Sequence, residues 1–279
     1  MQVVRCPDPG VFLARAGAYL LAREAEHNLI LGLCGRLRQD PSAYAEAYFA
    51  VVEADGEVVG AAMRTPPHNL VLSELRVESA ADALADDARE LFPSLPGLLG
   101  PKSAAARFAR RWEELTGAAG RILVAERIYR ASEARPPEDV PGSMRDYADS
   151  DRELAVAWLD AFAAEAVPGA PDVAEEILDR RLREPGGRIV LWEDGGTVSL
   201  AGCGGQTANG IRVGPVYTPP ELRRRGYASA LTAALTRELL AGGRRFCFLF
   251  TDLGNPTSNS IYRQVGYEPV ADVDQWAFG

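Results

Sequence analysis

Lysine is almost missing from this chain. Lys102 is the only one, and arginine supplies the rest of the positive charge, a compositional bias to which no mechanism attaches. Histidine is nearly as scarce, with His27 and His68 alone. The four cysteines, Cys6, Cys34, Cys203 and Cys247, are spaced for neither a zinc motif nor a disulfide framework. No metal site is expected from so thin a set. No basic start leads into a long apolar run, so no signal peptide is expected. No apolar stretch reaches membrane-spanning length either, which makes the cytoplasm the expected compartment and a membrane partner unexpected. A formal charge of −9, with no basic patch interleaved with aromatics, argues against nucleic acid as a partner. The Gly-x-x-x-x-Gly-Lys-Ser/Thr loop of nucleoside triphosphatases is absent. What remains is an ordinary globular composition, 47% hydrophobic and 25% charged, over 279 residues, a length that suits two domains.

The most informative stretch is 213–234, VGPVYTPPELRRRGYASALTAA. An apolar strand enters a Pro-bounded loop, three arginines follow, and Gly226-Tyr227-Ala228 open an Ala/Leu-rich helix. Amides at a helix start are orphan donors, and the macrodipole places partial positive charge there. Gly226 has no Cβ to hold an anion off that backbone or to strain a positive φ. With Arg223, Arg224 and Arg225 alongside, the segment describes a pyrophosphate cradle on a helix N-terminus. The helix is expected over Tyr227–Ala241, with Ala228, Leu231, Leu235 and Leu239 on one face and Gly242-Gly243 at its end. Residues 246–250, Phe-Cys-Phe-Leu-Phe, are apolar without alternation, as a parallel strand covered on both faces would be. Strand, helix and strand then form a βαβ unit with the cradle at the C-terminal end of the first strand, where open α/β sheets place ligands. Gly214-Pro215 inside that first strand interrupts its ladder and marks a bulge or an edge.

Residues 223–228 read Arg-x-x-Gly-x-Ala, and about thirty residues on come Asn255, Asn259, Tyr262, Gly266 and Tyr267. In this order the two segments resemble the signatures of the GNAT superfamily of acetyl-CoA-dependent N-acetyltransferases. The resemblance covers residues 143–279. It implies an α/β fold of mixed sheets, with a bulged fourth strand splayed from its parallel neighbour and acetyl-CoA as co-substrate. Main-chain contacts from Val216, Tyr217 and Thr218 would hold the pantetheine arm. The loop residues Arg223, Arg224, Arg225, Gly226, Tyr227, Ala228 and Ser229 would hold the pyrophosphate, with Asn255 and Asn259 completing the cofactor site. Tyr262 matches the family's proton donor to the departing thiolate, the catalytic residue. Thr257 or Ser258 would cap its helix and Gly266 end it.

The Pro-rich segment 131–143 reads as a linker between domains 1–134 and 143–279. After it, helices are expected over Tyr147–Ala166 and Pro171–Arg183, and paired strands over Arg188–Glu193 and Thr197–Gly204 across Asp194-Gly195-Gly196. The first half offers a hairpin at Asp55-Gly56 between Phe49–Val52 and Val58–Met63, then Pro96–Pro101, a helix over Ser103–Thr116 and a strand over Arg121–Arg130. That order is GNAT-like again, without a cradle. In its place, Glu78–Ala88 carries Asp82, Asp86 and Asp87, whose charge would repel a pyrophosphate. The half is a degenerate repeat that shapes the substrate cleft, or an unrelated α/β domain.

The resemblance implies an N-acetyltransferase acting on a primary amine of a small molecule or peptide by direct attack. A non-catalytic acyl-CoA-binding sensor is the alternative. An alkylammonium has a pKa of about 10.4, so the acceptor must lose a proton. Residues 212–217 contain no carboxylate for that work. Asp160, Glu165 and Glu193 stay open as the base, as does water relayed to backbone carbonyls. Backbone amides of the bulged strand can serve the oxyanion.

Overall fold

The computed structural model describes residues 1–166 and 174–279. The chain forms two compact units, Met1–Ile128 with Val270–Gly279, and Tyr129–Pro269. The last ten residues thus belong to the first unit and Tyr129–Ala134 to the second, where the Pro-rich segment suggests domains 1–134 and 143–279.

The first unit runs β1 (Gln2–Arg5), α1 (Pro9–Leu21), α2 (Asn28–Gln39), β2 (Tyr48–Ala54), β3 (Glu57–Arg64), β4 (Leu70–Leu72), α3 (Ala80–Leu91), β5 (Gly97–Pro101), α4 (Lys102–Thr116) and most of β6 (Gly120–Ala131). Strands β1 to β4 pair antiparallel in sequence order, and β4 pairs parallel with β5. Asp55 and Gly56 both take positive φ, the geometry of a tight two-residue turn, and the expected hairpin forms around them. Along β2, Tyr48, Ala50 and Val52 pack with α3 and α4, while Phe49 and Val51 pack with α1 and α2. Helices on both faces therefore account for the uninterrupted apolar run. Asp8 starts α1 by accepting from the amides of Gly10 and Val11 at 2.7 and 2.9 Å.

The second unit runs β7 (Ser143–Asp146), α5 (Arg152–Ala166), α6 (Ala174–Arg183), β8 (Arg188–Glu193), β9 (Thr197–Gly204), β10 (Gly210–Tyr217), α7 (Tyr227–Ala241), β11 (Phe246–Asp252) and α8 (Pro256–Val265). Strand β12 (Glu268–Phe278) follows, and its residues Val273–Ala277 pair antiparallel with β5 of the first unit's sheet. Element for element, the order from β7 to β12 repeats the order from β1 to β6, and each half contains a parallel pair at the same place, β4 with β5 and β10 with β11. The chain is a tandem repeat of one mixed α/β topology.

Several expectations need adjustment. Helix α5 begins at Arg152 instead of Tyr147, because Asp151 accepts from the Ala148 amide at 2.8 Å and holds Tyr147-Ala148 outside the helix. For the expected helix 171–183, residues 171–173 lie outside the described residues. Helix α7 is buried well beyond one face. Ser229, Ala230, Thr232, Ala233 and Thr236 are buried with Leu231 and Leu235, since β9, β10 and α8 all pack on it. Its end turns left-handed at Gly243, with Gly242 still near the helical φ. The acidic residues of α3 are engaged in ion pairs. Arg107 clamps Asp82 with bonds of 2.6 to 3.0 Å, Arg111 holds Asp86 at 2.8 Å, and Asp87 accepts from Arg5 and the Tyr48 hydroxyl. These pairs brace α3 to α4 and β1, and because Arg5, Arg107 and Arg111 are shared with Glu90, Glu78 and Glu114, carboxylates still outnumber guanidiniums in the cluster.

Candidate functional site

The site is built at the C-terminal end of β10. This strand pairs parallel with β11 only from Gly210 to Arg212, against Phe246 to Phe248, yet it continues to Tyr217 while β11 continues to Asp252. On its other edge the register with β9 shifts between Val213 and Val216, a bulge at Gly214-Pro215 as expected. Pro215 has no N–H, so the ladder cannot run through it. The two parallel strands therefore part, and the gap opens toward the loop that follows β10.

That loop turns through Pro220–Leu222, then through Arg224 and Gly226, which take φ of +64° and +84°. Gly226 is the N-cap of α7. A Cβ there would lie 2.7 Å from Val140 Cγ2, so both the backbone conformation and the neighbour require glycine. The first main-chain bond of the helix runs from the Ala230 amide to the Gly226 carbonyl at 2.9 Å. Among the described residues the amides of 224–229 have no hydrogen-bond acceptor. Six consecutive amides without an acceptor at a helix N-terminus are the kind of donor set that anion-binding nests use.

The predicted residues of the loop divide by what they touch. Arg224 and Arg225 are exposed and can add charge to an anion. Arg223 is already committed, with Nε to the Thr218 carbonyl at 2.8 Å and Nη2 to both Glu165 oxygens at 2.8 and 2.9 Å. Its guanidinium also lies over the Tyr217 ring. Tyr227 turns its buried ring inward and donates to Asp194 Oδ2. That bond, and then burial, hold the phenol proton on above the ordinary tyrosine range. Ala228 is half-buried, and Ser229 is buried under the first turn.

In β10, the Tyr217 carbonyl accepts from Ser199 Oγ at 2.9 Å, and Thr218 Oγ1 lies 2.8 Å from the same hydroxyl. Val216, half-buried opposite Ala201, is the member of the trio whose main chain no side chain takes up among the described residues.

Asn255 is the N-cap of α8 and accepts from the Ser258 amide at 3.0 Å, so the expected cap at Thr257 or Ser258 moves to Asn255. The asparagine oxygen reaches the third amide without strain. Asn259 donates to the Asp252 and Asn255 carbonyls at 2.8 Å and accepts from the Tyr129 hydroxyl at 3.0 Å. Both asparagines fix the start of α8, the helix that carries Tyr262. The half-buried Tyr262 ring rests between Tyr129 and Tyr267, and its hydroxyl has no hydrogen-bond partner among the described residues. Burial pushes the Tyr262 phenol up to about 12. It therefore keeps its proton at neutral pH, as a general acid must.

The candidate bases are less free. Glu165 pairs with Arg223, and Glu193 accepts from Arg145 and from the Thr197 hydroxyl. Asp160 is exposed on α5. Sequence patterns miss Tyr129, Val140 and Asp194, because each reaches the site from a distant part of the chain. No group of side chains that could hold a metal ion occurs among the described residues, and no helix there is long and apolar enough to cross a membrane.

Residues 194–277 match the family described as FR47-like protein. No curated protein matches the chain. Among solved structures, a Drosophila protein superposes with a TM-score of 0.70 at 15% identity, covering 99% of this chain and 97% of that one. A GCN5-related N-acetyltransferase from Kribbella flavida gives 0.59 at 20% identity, covering 89% and 95%. A tandem GNAT protein from the clavulanic acid biosynthesis pathway gives 0.58 at 14% identity, covering 100% and 98%.

Proposed function

Because the chain carries the tandem GNAT fold with an FR47-like second half, we propose that it is an acetyl-CoA-dependent N-acetyltransferase acting on a primary amine of a small molecule or peptide. The row of unengaged amides from Arg224 to Ser229 carries this reading. It offers donors and dipole to a pyrophosphate where exposed Arg224 and Arg225 add charge. The main chain of β10 at Val216, in the gap left by the parting strands, suits an extended arm laid along it.

Tyr262 holds a proton that burial keeps in place, on a hydroxyl with no competing acceptor among the described residues, and donates it to the departing thiolate. The acceptor nitrogen attacks as the free amine. With Glu165 and Glu193 held in ion pairs, its proton passes to exposed Asp160 or to water relayed by backbone carbonyls. Those same ion pairs are what favour the second reading, a non-catalytic acyl-CoA sensor.

Calorimetry with acetyl-CoA, followed by a thiol-release assay over a panel of amines, separates the readings. One site per chain and thiol release with at least one amine are expected. Saturable binding without release for any amine supports the sensor. No binding overturns both.

A further inference from the structure

Segment 133–142 has the composition of a linker, yet in the second unit it packs against both turns of the proposed acetyl-CoA site. Gly226 and Gly266, the glycines of the two signatures, take φ of +84° and +110°. The space a Cβ would need is filled in both cases by this one segment. Val140 Cγ2 stands 2.7 Å from that point at Gly226, and the Glu133 carbonyl oxygen stands 3.1 Å from it at Gly266. Main-chain bonds hold the segment in place. The Arg135 amide donates to the Val265 carbonyl at 2.7 Å, at the end of α8. At the other end, Trp192 Nε1 donates to the Pro141 carbonyl at 2.8 Å, and Gly142 takes φ of +104° to fit against Glu193 and Trp192. Val140 itself packs into the cluster that includes Trp192, Val198 and Tyr227.

We infer that Val140 is a positioning residue of the acetyl-CoA site: its branched side chain, pressed behind Gly226, holds the 224–229 amides in one anion-facing arrangement. This rests on the proposed acetyl-CoA-binding function. The mechanism is preorganisation. A loop free to sample other turns must be ordered when the anion binds, and that cost appears as lost affinity. Val140 touches no reacting atom, so its effect falls on cofactor binding and not on the chemical step.

The experiment compares wild type, Val140→Ala, Val140→Ile and Glu138→Ala. Calorimetry supplies the Kd for acetyl-CoA, the amine assay supplies kcat and KM, and thermal unfolding supplies Tm. Val140→Ala is expected to raise Kd and the KM for acetyl-CoA about tenfold with kcat unchanged. Val140→Ile, which keeps a β-branch against Gly226, is expected to retain wild-type affinity, as is the exposed control Glu138→Ala. An alanine variant that binds as tightly as wild type, whatever its Tm, overturns the inference while leaving the proposed function intact. So does an isoleucine variant as weak as the alanine one. Absence of acetyl-CoA binding in wild type overturns the underlying function instead. If Val140→Ala fails to fold, Val140→Thr, which keeps the β-branch, is measured in its place. It is expected to bind like wild type, and a tenfold loss there overturns the inference.

Discussion

The Tyr227 hydroxyl donates to Asp194 Oδ2 across 2.5 Å and so ties the first residue of α7 to the turn between β8 and β9. The bond uses the phenol and leaves the amides of the same turn without an acceptor among the described residues. Tyr227→Phe is expected to weaken acetyl-CoA binding about fivefold, through a less ordered loop. Asp194→Asn keeps an acceptor oxygen and is expected to retain most of the affinity. Calorimetry on the two variants checks this, and a lowered Tm with unchanged affinity in Tyr227→Phe would reduce the bond to packing.

Gly226 is held to glycine from two directions, its φ of +84° and Val140 behind it. Gly226→Ala is therefore expected to cost about 1–3 kcal/mol of stability, the range for a non-glycine residue in the left-handed region, together with most of the acetyl-CoA affinity. Gly226→Val is expected to do worse on both counts. Denaturant unfolding and calorimetry measure the two losses, and a fully stable alanine variant would show that the loop has another conformation available.

Tyr262→Phe is expected to lower turnover about 10²-fold, the lower range for general-acid catalysis, while acetyl-CoA affinity stays unchanged because the ring and its packing with Tyr129 and Tyr267 remain. The pH profile carries a further signature. With the phenol at about 12, activity should show no loss attributable to Tyr262 through pH 10, where an ordinary tyrosine titrates. Full turnover in Tyr262→Phe would assign the proton to solvent.

His27 lends the first unit a pH dependence. Its buried ring accepts from the Glu74 amide at Nε2, at 3.1 Å, which puts the ring proton on Nδ1, 2.9 Å from the Leu20 carbonyl. Burial pulls its pKa below the ordinary 6.5, so the folded state binds fewer protons than the unfolded one in mildly acid solution. The stability from neutral His27 is complete above about pH 6.5 and declines as pH falls toward the lowered folded value. Unfolding curves of wild type and His27→Gln between pH 7.5 and 5 should diverge, with wild type losing stability more steeply. Parallel curves would refute the assignment.

What the sequence determined by itself is the part of this protein with local causes. The turn residues Asp55-Gly56, Gly226 and Gly266 sit where the backbone takes a positive φ, and the apolar run at Phe246 becomes a strand buried by its neighbours. The Gly214-Pro215 break became the bulge because the missing proline N–H is a property of one residue. Such features depend on a few adjacent positions and are legible without a fold. Only the tertiary structure decided the partners. It assigned Val270–Gly279 to the first unit, committed Arg223 to Glu165 and Thr218, and paired the α3 carboxylates with Arg5, Arg107 and Arg111. It also placed Val140 behind Gly226 and Tyr129 against α8, the helix that carries Tyr262. The physical reason is that a hydrogen bond or an ion pair is satisfied by whichever complementary group the fold brings within reach, and neither periodicity nor spacing records which group that is.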